Sequence, residues 1–99
     1  MTDELKDEVI RTALNAAIRY EVTTRFYEDK YIVRVHSNWS KDFIETIPLQ
    51  EFRIVKTHII VDDILQRLTK YVLDMVIDAK NRKIVSAYLQ HKEYQKSEK

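Results

Sequence analysis

The densest run of chemically capable side chains is His36-Ser37-Asn38-Trp39-Ser40. A histidine beside serines can build a hydrolytic site when a distant carboxylate orients the imidazole. Neighbourhood in sequence is not triad geometry, however, and no family motif of a nucleophile surrounds these residues. A small hydrolase or nuclease using His36 is therefore the least favoured reading, and no catalytic residue is assigned. Trp39, the one tryptophan, follows a strand pattern and either closes the edge of the core or anchors an interface. His36, His58 and His91 lie too far apart in sequence for a helical metal pair or an H-E-x-x-H motif. Asp62, Asp63, Asp74 and Asp78 are explained by a helix cap and a solvated helix face. No metal site and no cofactor are expected.

Two stretches carry the chemistry of phosphate contact. Arg25, Tyr27, Arg34 and His36 fall on one face of an expected β-hairpin, with Lys30 and Tyr31 at its tip. Basic groups hold phosphates and aromatic faces stack on bases, so this face is a candidate for single-stranded nucleic acid. The same pairs also stabilise hairpins without any ligand. Lys80, Arg82 and Lys83, followed by Lys92, Lys96 and Lys99, make the C-terminal end basic. Residues 80–99 hold six basic and two acidic groups, against a net charge of +1 for the chain. They are candidate phosphate contacts, or simply cations at a helix end, where they are favourable anyway.

Composition excludes more than it assigns. The 99 residues include no Cys, so disulfides, thiolate metal sites and a cysteine nucleophile are impossible. There is no Gly either. Phosphate-cradling loops, dinucleotide turns and nucleophile elbows need it where the backbone must approach a ligand, so their usual forms are excluded. Any left-handed turn position is expected to use Asn or Asp instead. No apolar run approaches the roughly 20 residues of a membrane span, and the acidic start Met1-Thr2-Asp3-Glu4 lacks a signal-peptide core. An intracellular protein is expected, and no small-molecule substrate is inferred.

The elements that position these groups follow from periodicity. Residues 3–21 read as a helix capped by Thr2 or Asp3, with Leu5, Val9, Ala13, Ala16, Ala17 and Tyr20 on one face. Ile10, Leu14 and Ile18 widen that apolar arc beyond what one packing contact needs, which marks them as candidate interface residues. Residues 21–37 alternate as a β-hairpin, with Glu28-Asp29-Lys30 as its turn. Phe43 to Ile47 suits a third strand, ended by Pro48. Residues 49–60 fit a helix better than a strand. Residues 62–79 read as a helix capped by Asp62 and ended by Asn81, with Leu73 and Ile77 outside its main apolar face as further interface candidates. Residues 83–94 read as a last helix, with a strand over 84–89 as the alternative; 95–99 read as a solvated tail. The sum is one domain of α+β class, a small antiparallel sheet with about three helices on one face.

The segments Lys6 to Tyr20 (KDEVIRTALNAAIRY) and Tyr31 to His36 (YIVRVH) give the chain a full-length resemblance to small proteins of filamentous, lipothrixvirus-like viruses infecting hyperthermophilic, acidophilic archaea such as Acidianus. The resemblance implies a host-cytoplasmic setting and high stability. It brings no site residues. Together the residues favour a non-enzymatic, self-associating protein–protein module, with nucleic-acid binding as the alternative.

Overall fold

Thr2 begins the first helix by accepting the Leu5 N–H on its side-chain oxygen at 3.1 Å, and Asp3 and Glu4 occupy the positive end of the helix. This helix, α1, spans Asp3–Ala17, shorter than the pattern over 3–21 suggested. Ile18 turns extended while its N–H still reaches the Leu14 carbonyl at 2.8 Å. The chain then enters a three-stranded antiparallel sheet, β1 (Glu21–Tyr27), β2 (Lys30–His36) and β3 (Phe43–Pro48), in the order β1-β2-β3. A short helix, α2 (Leu49–Ile54), and a long one, α3 (Thr57–Ser97, 41 residues), follow. The computed structural model describes the backbone of residues 1–38 and 40–97, and side chains for all of these except 79 and 81–97. The architecture is α+β, as the sequence predicts.

The chain divides into two units, Met1–Leu68 and Thr69–Lys99. The first unit holds the sheet and its core. Val22, Tyr31, Val33, Val35, Phe43 and Ile47 point to one face of the sheet, and α1, α2 and the start of α3 cover it with Ile10, Leu14, Phe52, Ile60 and Ile64. Phe26, Tyr31 and Phe52 form the aromatic centre, with ring centroids 4.3–5.4 Å apart, the spacing at which tilted and edge contacts are favourable.

The structure corrects the reading of α1. Its buried face is Lys6, Ile10 and Leu14, while Leu5 and Val9 are exposed. Ile10 and Leu14 are fully buried, so they are core rather than interface; Ile18 is half-buried. The arc was wide enough for two orientations, and the one adopted brings Asp7 to the sheet, where it meets two hydroxyl donors.

The expected hairpin forms, with Thr24 opposite Val33, but its turn is one residue shorter than read from sequence: Lys30 is already in β2, paired with Tyr27. Its two-residue turn, Glu28-Asp29, places Glu28 at φ 55°. A glutamate thus fills the left-handed position expected of Asn or Asp. The Asp29 carbonyl accepts the Leu49 N–H at 2.8 Å, which ties the turn to the start of α2.

Residues 49–60 are helical in two pieces. Val55 turns extended after α2, and the Lys56 carbonyl accepts the N–H groups of Ile59 and Ile60 as α3 begins. Asp62 therefore lies inside α3 rather than capping it. Asn81 does not end that helix, which continues to Ser97; an asparagine with no Gly or Pro beside it is a weak stop. Residues 83–94 belong to this same helix, and Glu98 and Lys99 lie outside the described residues.

Candidate interaction surfaces

The face of the sheet turned away from the helices carries the hairpin residues singled out from sequence. Antiparallel register sets Thr23, Arg34 and Ile44 in one row, Arg25, Ile32 and Thr46 in the next, and Glu21 beside His36. The first two rows, with Thr24 and Asp42, line a shallow groove of about 440 Å³. Arg25, Tyr27, Arg34 and His36 are all exposed and do share this face. The Arg25 guanidinium lies 5.4 Å from the centre of the Tyr27 ring, a cation–π distance.

The electrostatics of this face are balanced. Asp42 accepts Arg34 Nε at 2.5 Å and binds His36 Nδ1 at 2.7 Å. These two partners, His36 first, hold its carboxyl below the usual carboxylate range. Arg34 and His36 are thus committed to a neighbour. Arg25, Lys30 and Arg34 stand among the carboxylates of Glu21, Asp42 and, in the turn, Glu28 and Asp29. Such a mixture around Ile32 and Ile44 suits a protein surface better than a polyanion, which is attracted by a clear excess of positive charge.

His36 and Asp42 are the histidine–carboxylate pair that a hydrolase would need. The serines beside them are engaged otherwise: Ser37 Oγ and Ser40 Oγ lie 2.8 Å apart and bond each other. Trp39 lies outside the described residues.

The second unit carries the other candidates. Leu73, Val76 and Ile77 are 53, 41 and 52% exposed and lie at i, i+3 and i+4 on α3, forming an apolar stripe. Lys70, Asp74, Asp78 and Lys80 are exposed around it. The side chains of Arg82 and Lys83 lie outside the described residues.

Sequence reasoning missed two polar sites in the first unit. One is a clamp around Asp7. Thr24 Oγ1 and Tyr31 Oη both donate to Asp7 Oδ1, at 2.6 and 2.7 Å, and Arg11 Nη1 donates to Oδ2 at 3.2 Å. Burial first, then the Asp7 carboxylate, pushes the Tyr31 hydroxyl far above the usual tyrosine range. The other is an open cleft of about 870 Å³ where the start of α1 meets the α2–α3 junction. Asp3, Lys6, Arg53, Ile54, Lys56 and His58 are among its lining residues. Arg53 grips Asp3 through Nε at 3.2 Å and Nη2 at 2.8 Å. Lys6 Nζ, on the otherwise apolar face of α1, donates to the Val55 carbonyl at 2.6 Å and lies 5.3 Å from the centre of the Phe52 ring. The only sequence signal for either site is a charged pair, Lys6-Asp7, at the spacing of Ile10 and Leu14.

Among the described residues, no group of three or more His, Asp or Glu side chains is placed to hold a metal, and no helix is long and apolar enough to cross a membrane. No family model, curated protein or solved structure matches the chain.

Proposed function

We propose that this protein is a non-enzymatic interaction module that binds a second copy of itself along α3. The observation that carries this reading is the stripe of Leu73, Val76 and Ile77, each between 41 and 53% exposed. It lies in a unit whose described residues, 69–97, are all helix. An isolated helix in water is marginal, and most helical stability in proteins comes from packing an apolar face. A second copy supplies an identical stripe, and the two-fold dimer is the commonest way in which like surfaces close on each other.

Spacing in the sequence supports the same partner. Ile77 and Ile84 are seven residues apart, one repeat of a helix–helix seam, and Lys80, seven residues after Leu73, marks where that seam turns polar. The charges flanking the stripe are of both signs, so no like-charge field opposes association. Introducing carboxylates into the seam tests the reading. The double variant Leu73→Glu, Ile77→Glu is expected to sediment as a monomer with the circular dichroism of its sheet unchanged. A variant that still sediments as a dimer would remove the stripe from the interface.

A further inference from the structure

In the cleft between α1 and the α2–α3 junction, Asp3 is held below the usual carboxylate range by Arg53 first and also by Lys6, which itself forms no direct ion pair among the described residues. Lys6 is only 9% exposed, and its ammonium has three hydrogens to donate. One goes to the Val55 carbonyl. No carboxylate among the described residues forms an ion pair with Lys6. Asp3, in the same cleft, is gripped by Arg53. Buried charges are normally paired, because removing them from water is costly. A buried ammonium that faces an open cleft with donors to spare is therefore suited to an anion arriving from solution.

The rest of the lining specifies that anion. Among the lining side chains, Lys6, Arg53 and Lys56 stand against Asp3 alone, a surplus of two positive charges, and His58 is on the rim. A carboxylate would neutralise half of that surplus, whereas a phosphomonoester, with a charge of about −1.5 to −2 at neutral pH, matches it. The cleft, at about 870 Å³, has room for an organic group beside the phosphate, and Ile54, 82% exposed, offers that group an apolar wall. We propose that this cleft binds a phosphate-bearing small molecule, with the Lys6 ammonium as its innermost contact and Lys56 and His58 at its mouth. The site lies wholly in the first unit and does not depend on self-association through α3.

Thermal unfolding in inorganic phosphate, glycerol 2-phosphate, acetate and chloride, at matched ionic strength, tests the proposal. A ligand of the folded state raises Tm as its concentration passes its Kd, by about 4–8 °C at about five times Kd for a domain of this size. Both phosphates are expected to produce that rise, acetate and chloride not. Lys6→Met should abolish it. The surface pair Lys56→Ser, His58→Ser, which leaves the core intact, should shift it to higher phosphate concentration. A larger rise with glycerol 2-phosphate would identify the apolar wall as part of the site; a larger rise with inorganic phosphate would overturn that part of the assignment. Equal Tm in phosphate and chloride, equal responses to phosphate and acetate, or an undiminished phosphate response in both variants would overturn the site.

Discussion

Asp7 joins α1 to two strands of the sheet. Its carboxylate accepts from Thr24 on β1, Tyr31 on β2 and Arg11 one turn along α1, so one side chain fixes how the helix is rotated on the sheet. Replacing it strands the Tyr31 hydroxyl, since Tyr31 is fully buried. Asp7→Leu is therefore expected to cost about 1–3 kcal/mol in urea denaturation, the penalty for a buried polar group without a partner. Adding Tyr31→Phe should return part of that loss; a double variant less stable than the sum of the single variants would contradict the clamp. At the other face, the Asp42 carboxyl is held below its usual range by His36 and Arg34. A group whose folded pKa is depressed stabilises the fold above its unfolded value, near 3.9, and that stability is lost as pH falls through the folded value. Glu45, raised by burial, acts in the opposite sense. Comparing Asp42→Asn with the parent isolates the first effect: its urea midpoint should fall less steeply below about pH 4. Identical acid limbs would show that the Asp42 contacts contribute nothing to stability.

At the scale of elements, the hairpin was the most legible part of the chain. Val22 and Thr24 alternate with Thr23 and Arg25, and Val33 and Val35 with Arg34 and His36, and a one-residue slip would turn the buried set to water. The place of its turn was legible in Glu28-Asp29-Lys30, but its conformation was not, because without Gly no residue announces the left-handed position. Glu28 takes φ 55°, where a side chain with a Cβ is disfavoured by roughly 1–2 kcal/mol. Glu28→Gly should relieve this and, after the greater flexibility of Gly in the unfolded chain, leave a gain of about 0.5–1 kcal/mol. A loss of stability would mean that the glutamate side chain itself holds the turn. For α1 the period was plain but the buried face was not. Apolar residues cover more than half of it, so the choice fell to long-range bonds from Lys6 and Asp7 that no local pattern reveals. The break between α2 and α3 was hidden for a similar reason: Val55 and Lys56 carry no helix-stop signal, and Lys6 reaches the Val55 carbonyl from 49 residues away.

For the whole molecule, fold class follows from the periods of its segments, while function is written in surfaces. Surfaces leave weak traces in sequence. The hairpin face was foreseen as a cluster of Arg25, Tyr27, Arg34 and His36, but Asp42, which engages two of them, comes from a loop whose path the sequence does not reveal. The basic cleft was not foreseen, because Lys6, Arg53 and Lys56 come from two ends of the first unit. The stripe on α3 was foreseen in Leu73 and Ile77, since a helix with apolar residues on two sides declares a second contact wherever it lies. Self-association along that stripe is the central claim, and light scattering of the unmodified protein across a dilution series from about 100 to 1 μM, concentrations that bracket a micromolar dissociation constant, tests it most directly. The expected result is twice the chain mass at the upper end, falling toward the single chain only on dilution. A single-chain mass at every concentration would contradict it.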